Sequence, residues 1–139
     1  MKRYLLDTNV VSELRNNKPH GAVVTWIASL REEQKLLCAS TIGELQIGVE
    51  ITRRQDAAKA HELETWVNEL CHNSQIISMD TLCFREWGRL MYRKSGQLAQ
   101  DALIAATARV HGFVVATRNE ADFKNFEVEI FNPFKLPKS

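Results

Sequence analysis

A chain of 139 residues with 45% hydrophobic and 25% charged side chains can bury a core without staples and is too apolar to stay unfolded, which excludes disordered and fibrous classes. Its formal net charge of +1 excludes a blanket polycation, so any work on nucleic acid must come from local arrangement. Three cysteines, Cys38, Cys71 and Cys83, show no C-x-x-C spacing and read as buried free thiols in a reducing compartment rather than a disulfide framework.

Tyr4-Leu5-Leu6 is a short apolar run, read as a buried strand that stops at Asp7. It is too short for a signal peptide or a membrane span, so a cytoplasmic location without membrane contact is expected. Val10 to Arg15 reads as helix and ends in the turn cluster Asn16-Asn17-Lys18-Pro19. Val23, Val24, Trp26, Ile27 and Leu30 recur at helical spacing. Leu36-Leu37-Cys38-Ala39 has strand character, and Ser40 or Thr41 then opens a helix running to Arg53-Arg54.

Ala60, Leu63, Trp66, Val67 and Leu70 share one face of a helix over about 57–71. Ile76-Ile77 is a short strand. Asp80 is an N-cap candidate for a helix through Trp87, Leu90 and Met91 that ends near Gly96. Ala99 to His111 is helical and closes on Gly112. Phe113 to Thr117 is a strand, Arg118 to Phe123 a loop, and Val128 and Ile130 alternate with Glu127 and Glu129 as a half-exposed last strand. Repeats, low-complexity tracts and linkers are lacking in the sequence, and its prolines (Pro19, Pro133 and Pro137) lie towards the two ends, so one domain over 1–139 is expected. Strands alternating with helices imply right-handed crossovers and a mostly parallel sheet covered on both faces. Such sheets bind ligands outside the carboxyl ends of their strands.

Acidic residues fall at those ends. Asp7 follows the first strand, and Glu44 and Asp101 read as first-turn residues of helices. Asn119 and Asp122 follow the Phe113–Thr117 strand. Carboxylates sharing one cleft repel one another, and a divalent cation removes that penalty. Oxygen-only ligands favour Mg²⁺, with Mn²⁺ able to substitute, over zinc. The positive ends of the two helices are expected to help keep Glu44 and Asp101 ionised. Each residue also has a plain structural role open to it. Thr41-x-x-Glu44 is a capping-box pattern, Asp101 suits a helix dipole, Asp7 can cap the helix that follows, and Asp122 reads as an exposed loop residue. The set of positions, rather than any one of them, carries the metal reading.

Four segments of the chain resemble, in order, the motifs of the PIN-domain family, especially its VapC toxins and FitB-like branch. They are Leu5-Leu6-Asp7-Thr8-Asn9-Val10-Val11-Ser12-Glu13, Thr41-Ile42-Gly43-Glu44-Leu45-Gln46-Ile47-Gly48-Val49, Asp101-Ala102-Leu103-Ile104-Ala105-Ala106-Thr107-Ala108, and Val115-Ala116-Thr117-Arg118-Asn119-Glu120-Ala121-Asp122-Phe123. Asn132-Pro133-Phe134 resembles the closing segment. The resemblance implies a twisted, mostly parallel sheet of four or five strands flanked by helices on both faces. It also implies a Mg²⁺-dependent endoribonuclease, the toxin of a toxin–antitoxin pair, leaving 3′-hydroxyl and 5′-phosphate ends.

By the same resemblance Asp7, Glu44 and Asp101 are the metal ligands. Asn119 completes the catalytic set where many members carry Asp and others Asn. Its amide oxygen can ligate but brings no charge, with Asp122 or Glu120 able to compensate in part. Thr8, Asn9 and Thr117 would orient the ligands. The implied partners are an RNA substrate, a cognate antitoxin, a second copy of the chain, and DNA only through the antitoxin.

Arg118, next to this set, is the better candidate for a phosphate contact than the helical stripe Arg85, Arg89 and Arg93. Trp26, Trp66 and Trp87 fall on apolar faces and read as core or dimer interface. The four histidines show no paired-ligand spacing. G-x-G-x-x-G, Walker A and G-x-S-x-G motifs are all missing, which argues against dinucleotide, NTPase and serine-hydrolase readings. Two rival readings stand beside the nuclease. One is a noncatalytic module that binds RNA or antitoxin in autoregulation; the other is a metal phosphatase, which lacks its D-x-D start.

Overall fold

Leu5 and Leu6 are neighbours in sequence yet bury their side chains in different cores, one on each face of a single sheet. The computed structural model describes residues 1–135; residues 136–139, Pro137 among them, lie outside the described residues. Five strands form the sheet: β1 (Tyr4–Leu6), β2 (Lys35–Cys38), β3 (Gln75–Ile77), β4 (Val114–Ala116) and β5 (Ile130–Phe131). They pair in the order β3-β2-β1-β4-β5, and every pair is parallel. The helices are α1 (Thr8–Glu13), α2 (Gly21–Ser29), α3 (Ala39–Arg53), α4 (Ala57–Asn73), α5 (Thr81–Met91), α6 (Ala99–His111) and the short α7 (Glu120–Phe123).

Register explains how the two cores divide. Leu5 stands opposite Leu36 and Val115, and all three bury against Ala102, Ala105 and Ala108 of α6, with Trp87 and Leu90 of α5 behind. One residue on, Leu6 stands opposite Leu37 and Ala116, and these bury against Val10, Val11, Val23, Leu45, Val49 and Val67. A sheet buried on both faces reads as unbroken apolar runs, which is why three-residue strands were visible in the sequence. Leu5 is fully buried, so Leu5→Ala would cost about 2–5 kcal/mol. Gly112 takes a left-handed φ of 75° at the C-terminus of α6, where its N–H donates to the Ala108 carbonyl. Only glycine adopts that conformation without penalty. No described helix is long and apolar enough to cross a membrane.

Several boundaries differ from expectation, each for a physical reason. Helix α3 starts at Ala39 with Cys38 as its cap residue and no side-chain cap, so the Thr41–Glu44 capping box does not form. Thr41 is buried instead. Helix α5 stops at Met91, short of Gly96: Tyr92 leaves the helical region (ψ 120°) and Arg93 then turns left-handed (φ 63°). That turn takes Arg93 off the helix and breaks the expected arginine stripe, and its guanidinium lies over the Tyr92 ring.

The segment after β4 is not all loop: Phe123 is fully buried, and the short helix α7 carries it into the core. The last strand is Ile130–Phe131 rather than Glu127–Ile130. Glu127 is left-handed (φ 49°), and the Arg109 Nη1 donates to the carbonyls of Phe126 and Glu127 at 3.1 and 2.6 Å. Cys38 and Cys83 are buried free thiols as expected, whereas Cys71 is exposed.

Candidate active site

Strands β1 and β4 are neighbours in space but far apart in sequence. The chain runs from β1 outward through β2 to β3, then returns to the other side of β1 as β4. This is the switch point of the sheet, where a crevice opens beyond the carboxyl ends of the strands. Asp7 leaves β1 at that point, and its N–H donates to the Ala116 carbonyl of β4 at 2.9 Å.

Asp7 is only 4% exposed, and its carboxylate is held from three sides. Oδ1 accepts from the Thr8 N–H at 2.7 Å, which caps α1. Oδ2 accepts from the Thr117 hydroxyl at 2.7 Å and from the Asn9 amide at 3.1 Å. The network extends outward. The Asn9 Oδ1 accepts the Arg118 N–H at 3.2 Å, and the Thr117 Oγ1 accepts the Asn119 N–H at 2.9 Å. Thr8 Oγ1 donates to the Thr41 Oγ1 at 3.5 Å. Asp7 thus caps a helix and also anchors a polar network.

Around Asp7 gather Glu44 from α3, Asp101 from the first turn of α6, and Asp122 from α7. Burial, more than any other effect, pushes the Asp7 carboxyl above its ordinary value; its hydrogen bonds oppose this, and the charge of Asp122 adds to it. Burial likewise raises Glu44, which sits in the second turn of α3 rather than the first; the nearby Thr8 hydroxyl opposes the shift and Asp7 adds to it. Asp101 is pushed up to about 6, first by burial and then by the charges of Asp7, Asp122 and Glu44.

At Glu44 and Asp101 desolvation and like charge thus raise the carboxyls above their ordinary values. Among the described residues none of these four carboxylates is ion-paired. The exposed Asp122, read from sequence as a loop residue, belongs electrostatically to the cluster. The Asn119 backbone joins the network, and its side chain is exposed and makes no capping bond. Glu120 faces away, pairing with Lys135 at 2.7 Å and accepting from Asn132 at 3.1 Å.

The donor set suits a hard divalent cation. It is all oxygen, lacks a cationic partner among the described residues, and carries carboxyls whose raised pKa values a cation would lower. Among the described residues, no group of three or more His, Cys, Asp or Glu side chains is preassembled to hold a metal. The four carboxylates share an electrostatic field rather than a ready ligating geometry. Thr41 and the C-terminal Phe134, whose ring faces the Arg118 guanidinium, are contributors that spacing alone did not single out as site residues.

Comparison with known proteins bears on the family and the fold. The PIN domain family model matches residues 4–129. The chain is 36% identical over 136 residues to a protein named Toxin FitB from Neisseria gonorrhoeae, covering 94% of this chain and 97% of that one. It is 34% identical over 137 residues to VapC ribonuclease Y4jK from Sinorhizobium fredii, covering 94% of this chain and 97% of that one. Among solved structures, FitAcB from Neisseria gonorrhoeae superposes with a TM-score of 0.79 at 32% identity, covering 96% of this chain and 99% of the other.

Proposed function

This chain belongs to the PIN-domain family, and from that premise we propose that it is a Mg²⁺-dependent endoribonuclease acting as the toxin of a toxin–antitoxin pair. The relatives named Toxin FitB and VapC ribonuclease support the toxin and ribonuclease parts. One observation carries the reading: Asp7, Glu44, Asp101 and Asp122 meet at the sheet's switch point with no compensating cation among the described residues.

Asp7, Glu44 and Asp101 would hold the ion, with Asp122 beside them. A Mg²⁺ held there would supply charge neutralisation at the phosphodiester and would lower the pKa of a water. The chain's own contribution is orientation. Thr117 and Asn9 fix both the position and the rotamer of the Asp7 carboxylate, and Thr8 does the same from the helix side. Asp101, pushed up by burial and three neighbouring carboxylates, would be favoured in its ionised form by a cation. A small cognate antitoxin would silence the enzyme, the chain would assemble as a homodimer, and the free thiols Cys38 and Cys83 suit a reducing cytoplasm.

The test is cleavage of a total-RNA and tRNA panel with Mg²⁺, with Mn²⁺ and with EDTA, run beside Asp7→Ala. Discrete cuts that require metal and vanish in the variant are expected. Folded, antitoxin-free protein that makes no cuts, together with calorimetry showing no divalent binding, would favour the noncatalytic module. The exposed Asn119 and the lack of a preassembled metal group among the described residues are the observations on that side.

A further inference from the structure

Beside the acidic cluster lies a cleft of about 490 Å³, lined in part by Arg118, Asn119, Glu120, Asp122, Lys124 and Lys135. Its two walls differ in charge state. Lys135 is neutralised by Glu120 at 2.7 Å, whereas Arg118 and Lys124 stand in no ion pair among the described residues. The cleft shares Asp122 with the acidic cluster, so its cations begin where the carboxylates end.

Arg118 is held in an unusual way. Its backbone N–H is fixed to Asn9, which itself binds Asp7, so its Cα is tied to the acidic centre. An arginine rooted there would be expected to fold onto the nearest carboxylate. Instead its guanidinium carbon lies 4.6 Å from the centre of the Phe134 ring. That ring is wedged in place: His20 meets it edge-on at 5.5 Å, and the Phe134 N–H donates to the Asn132 Oδ1 at 2.9 Å. Stacking on an aromatic face occupies one plane of the guanidinium and leaves its N–H edge open to a planar, bidentate acceptor. The Phe134 contact therefore engages the guanidinium while it stands in no ion pair among the described residues, which leaves it available to an anion.

We propose that this cleft binds the backbone phosphate of single-stranded RNA next to the scissile bond. In it Arg118 acts as the phosphate clamp, Lys124 as a second contact, and Phe134 as the positioning residue that holds Arg118 open. The inference rests on the nuclease reading for its ligand, and its test needs no turnover. The full-length chain is titrated in EDTA against a fluorescein-labelled single-stranded RNA of mixed sequence, at several salt concentrations.

Arg118→Ala is expected to weaken binding about tenfold, as one charge-assisted phosphate contact would. It should also flatten the salt dependence by about 0.7 in slope. Phe134→Leu, which keeps apolar volume but loses the ring face, should weaken binding about threefold, and Phe134→Tyr should restore it. Arg89→Ala, on the far side of the α5 salt bridges, should change nothing. Arg118→Ala leaves the Phe134 packing in place, so it tests the clamp whatever Phe134→Leu does to folding.

Binding by Arg118→Ala equal to wild type, or no binding by the wild-type chain, overturns the site. Phe134→Leu that binds as wild type while Arg118→Ala does not overturns the positioning role. Metal-dependent cleavage alongside Arg118-independent binding would remove this site and leave the nuclease standing. Arg118-dependent binding without any cleavage would do the reverse.

Discussion

Two clusters of charge on this molecule use the same residue types and behave oppositely. On the seam between α3 and α4, Glu50 and Glu64 share Arg53, whose Nε and Nη2 reach them at 3.1 Å each, and Gln46 donates to both at 2.7 and 3.0 Å. Hydrogen bonds from Gln46 and Arg53 hold both carboxyls below their ordinary values. At the switch point, Asp7, Glu44 and Asp101 are all pushed up, by burial first. The seam is complete as it stands. The rim carboxyls have no cationic partner among the described residues. A carboxylate that joins two helices is given its partner within the chain; one that binds a cation must be left without one.

The contrast predicts effects of opposite sign, and Asp101→Asn is the sharpest. Cleavage should fall by at least about 10²–10³-fold, since a charge central to the cluster is lost. In EDTA at pH 8 the same change should raise the Tm by about 2–4 °C, a value discounted for a half-exposed group, because it removes repulsion at no cost in shape. A thermal melt and a cleavage assay on one preparation test both. If Asp101→Asn lowers stability, the rim is not an uncompensated cluster and the comparison fails.

Next in size comes the support around Asp7. Thr117→Val keeps the volume of a fully buried side chain but removes the hydroxyl that donates to Oδ2 and accepts from the Asn119 N–H. The expected loss is about 10–100-fold in metal affinity or turnover, read by calorimetry and by kcat. An unchanged metal affinity would mean that Thr117 serves only the fold.

How much of this was legible in the sequence follows from the length scale of each feature. Strands β1, β2 and β4 were visible because both faces are buried, and Asp7 because a charge directly after such a strand has few comfortable explanations. Helix α7 was not, because a four-residue helix is shorter than two turns and leaves no period to read. The last strand was misplaced by its alternation, since the left-handed Glu127 and the Arg109 contacts to two carbonyls depend on residues distant in sequence. The same limit applied to charge. Helix N-termini are visible locally, whereas the desolvation and mutual repulsion that raise Asp101 come from elements meeting in space. Asp122 reads as an ordinary exposed Asp until its charge is seen to act on Asp7 and Asp101.

A third effect is smaller and depends on pH. The Asp101 carboxyl is raised from 3.8 to about 6 in the folded chain. In the metal-free protein its contribution to stability is therefore fully present below about pH 4 and is lost as pH rises through about 6, because the folded state holds the proton longer. The difference in Tm between wild type and Asp101→Asn isolates that window, since the other carboxylates largely cancel. Added Mg²⁺ should reverse it, raising the Tm at pH 8 and hardly at pH 5, where a protonated carboxyl is a poor ligand. A Mg²⁺ effect equal at both pH values would detach the raised pKa from metal binding.

The seam should give the smallest response and the cleanest control. Glu64→Gln removes one charge from a network that stays largely solvated, with Arg53 still paired to Glu50. Screened surface pairs contribute little, so the Tm should fall by about 1–2 °C, and 0.5 M salt should shrink that difference further. Cleavage and metal affinity should not change, because none of the rim carboxyls owes its shift to Glu64 or Arg53. The informative result is the sign. Neutralising an acid on the seam should lower stability and spare activity, whereas neutralising one at the rim should raise stability and abolish activity. If Glu64→Gln also changed metal affinity, charge on α3 would be reaching Glu44 through its own helix, and the two clusters would have to be treated as one.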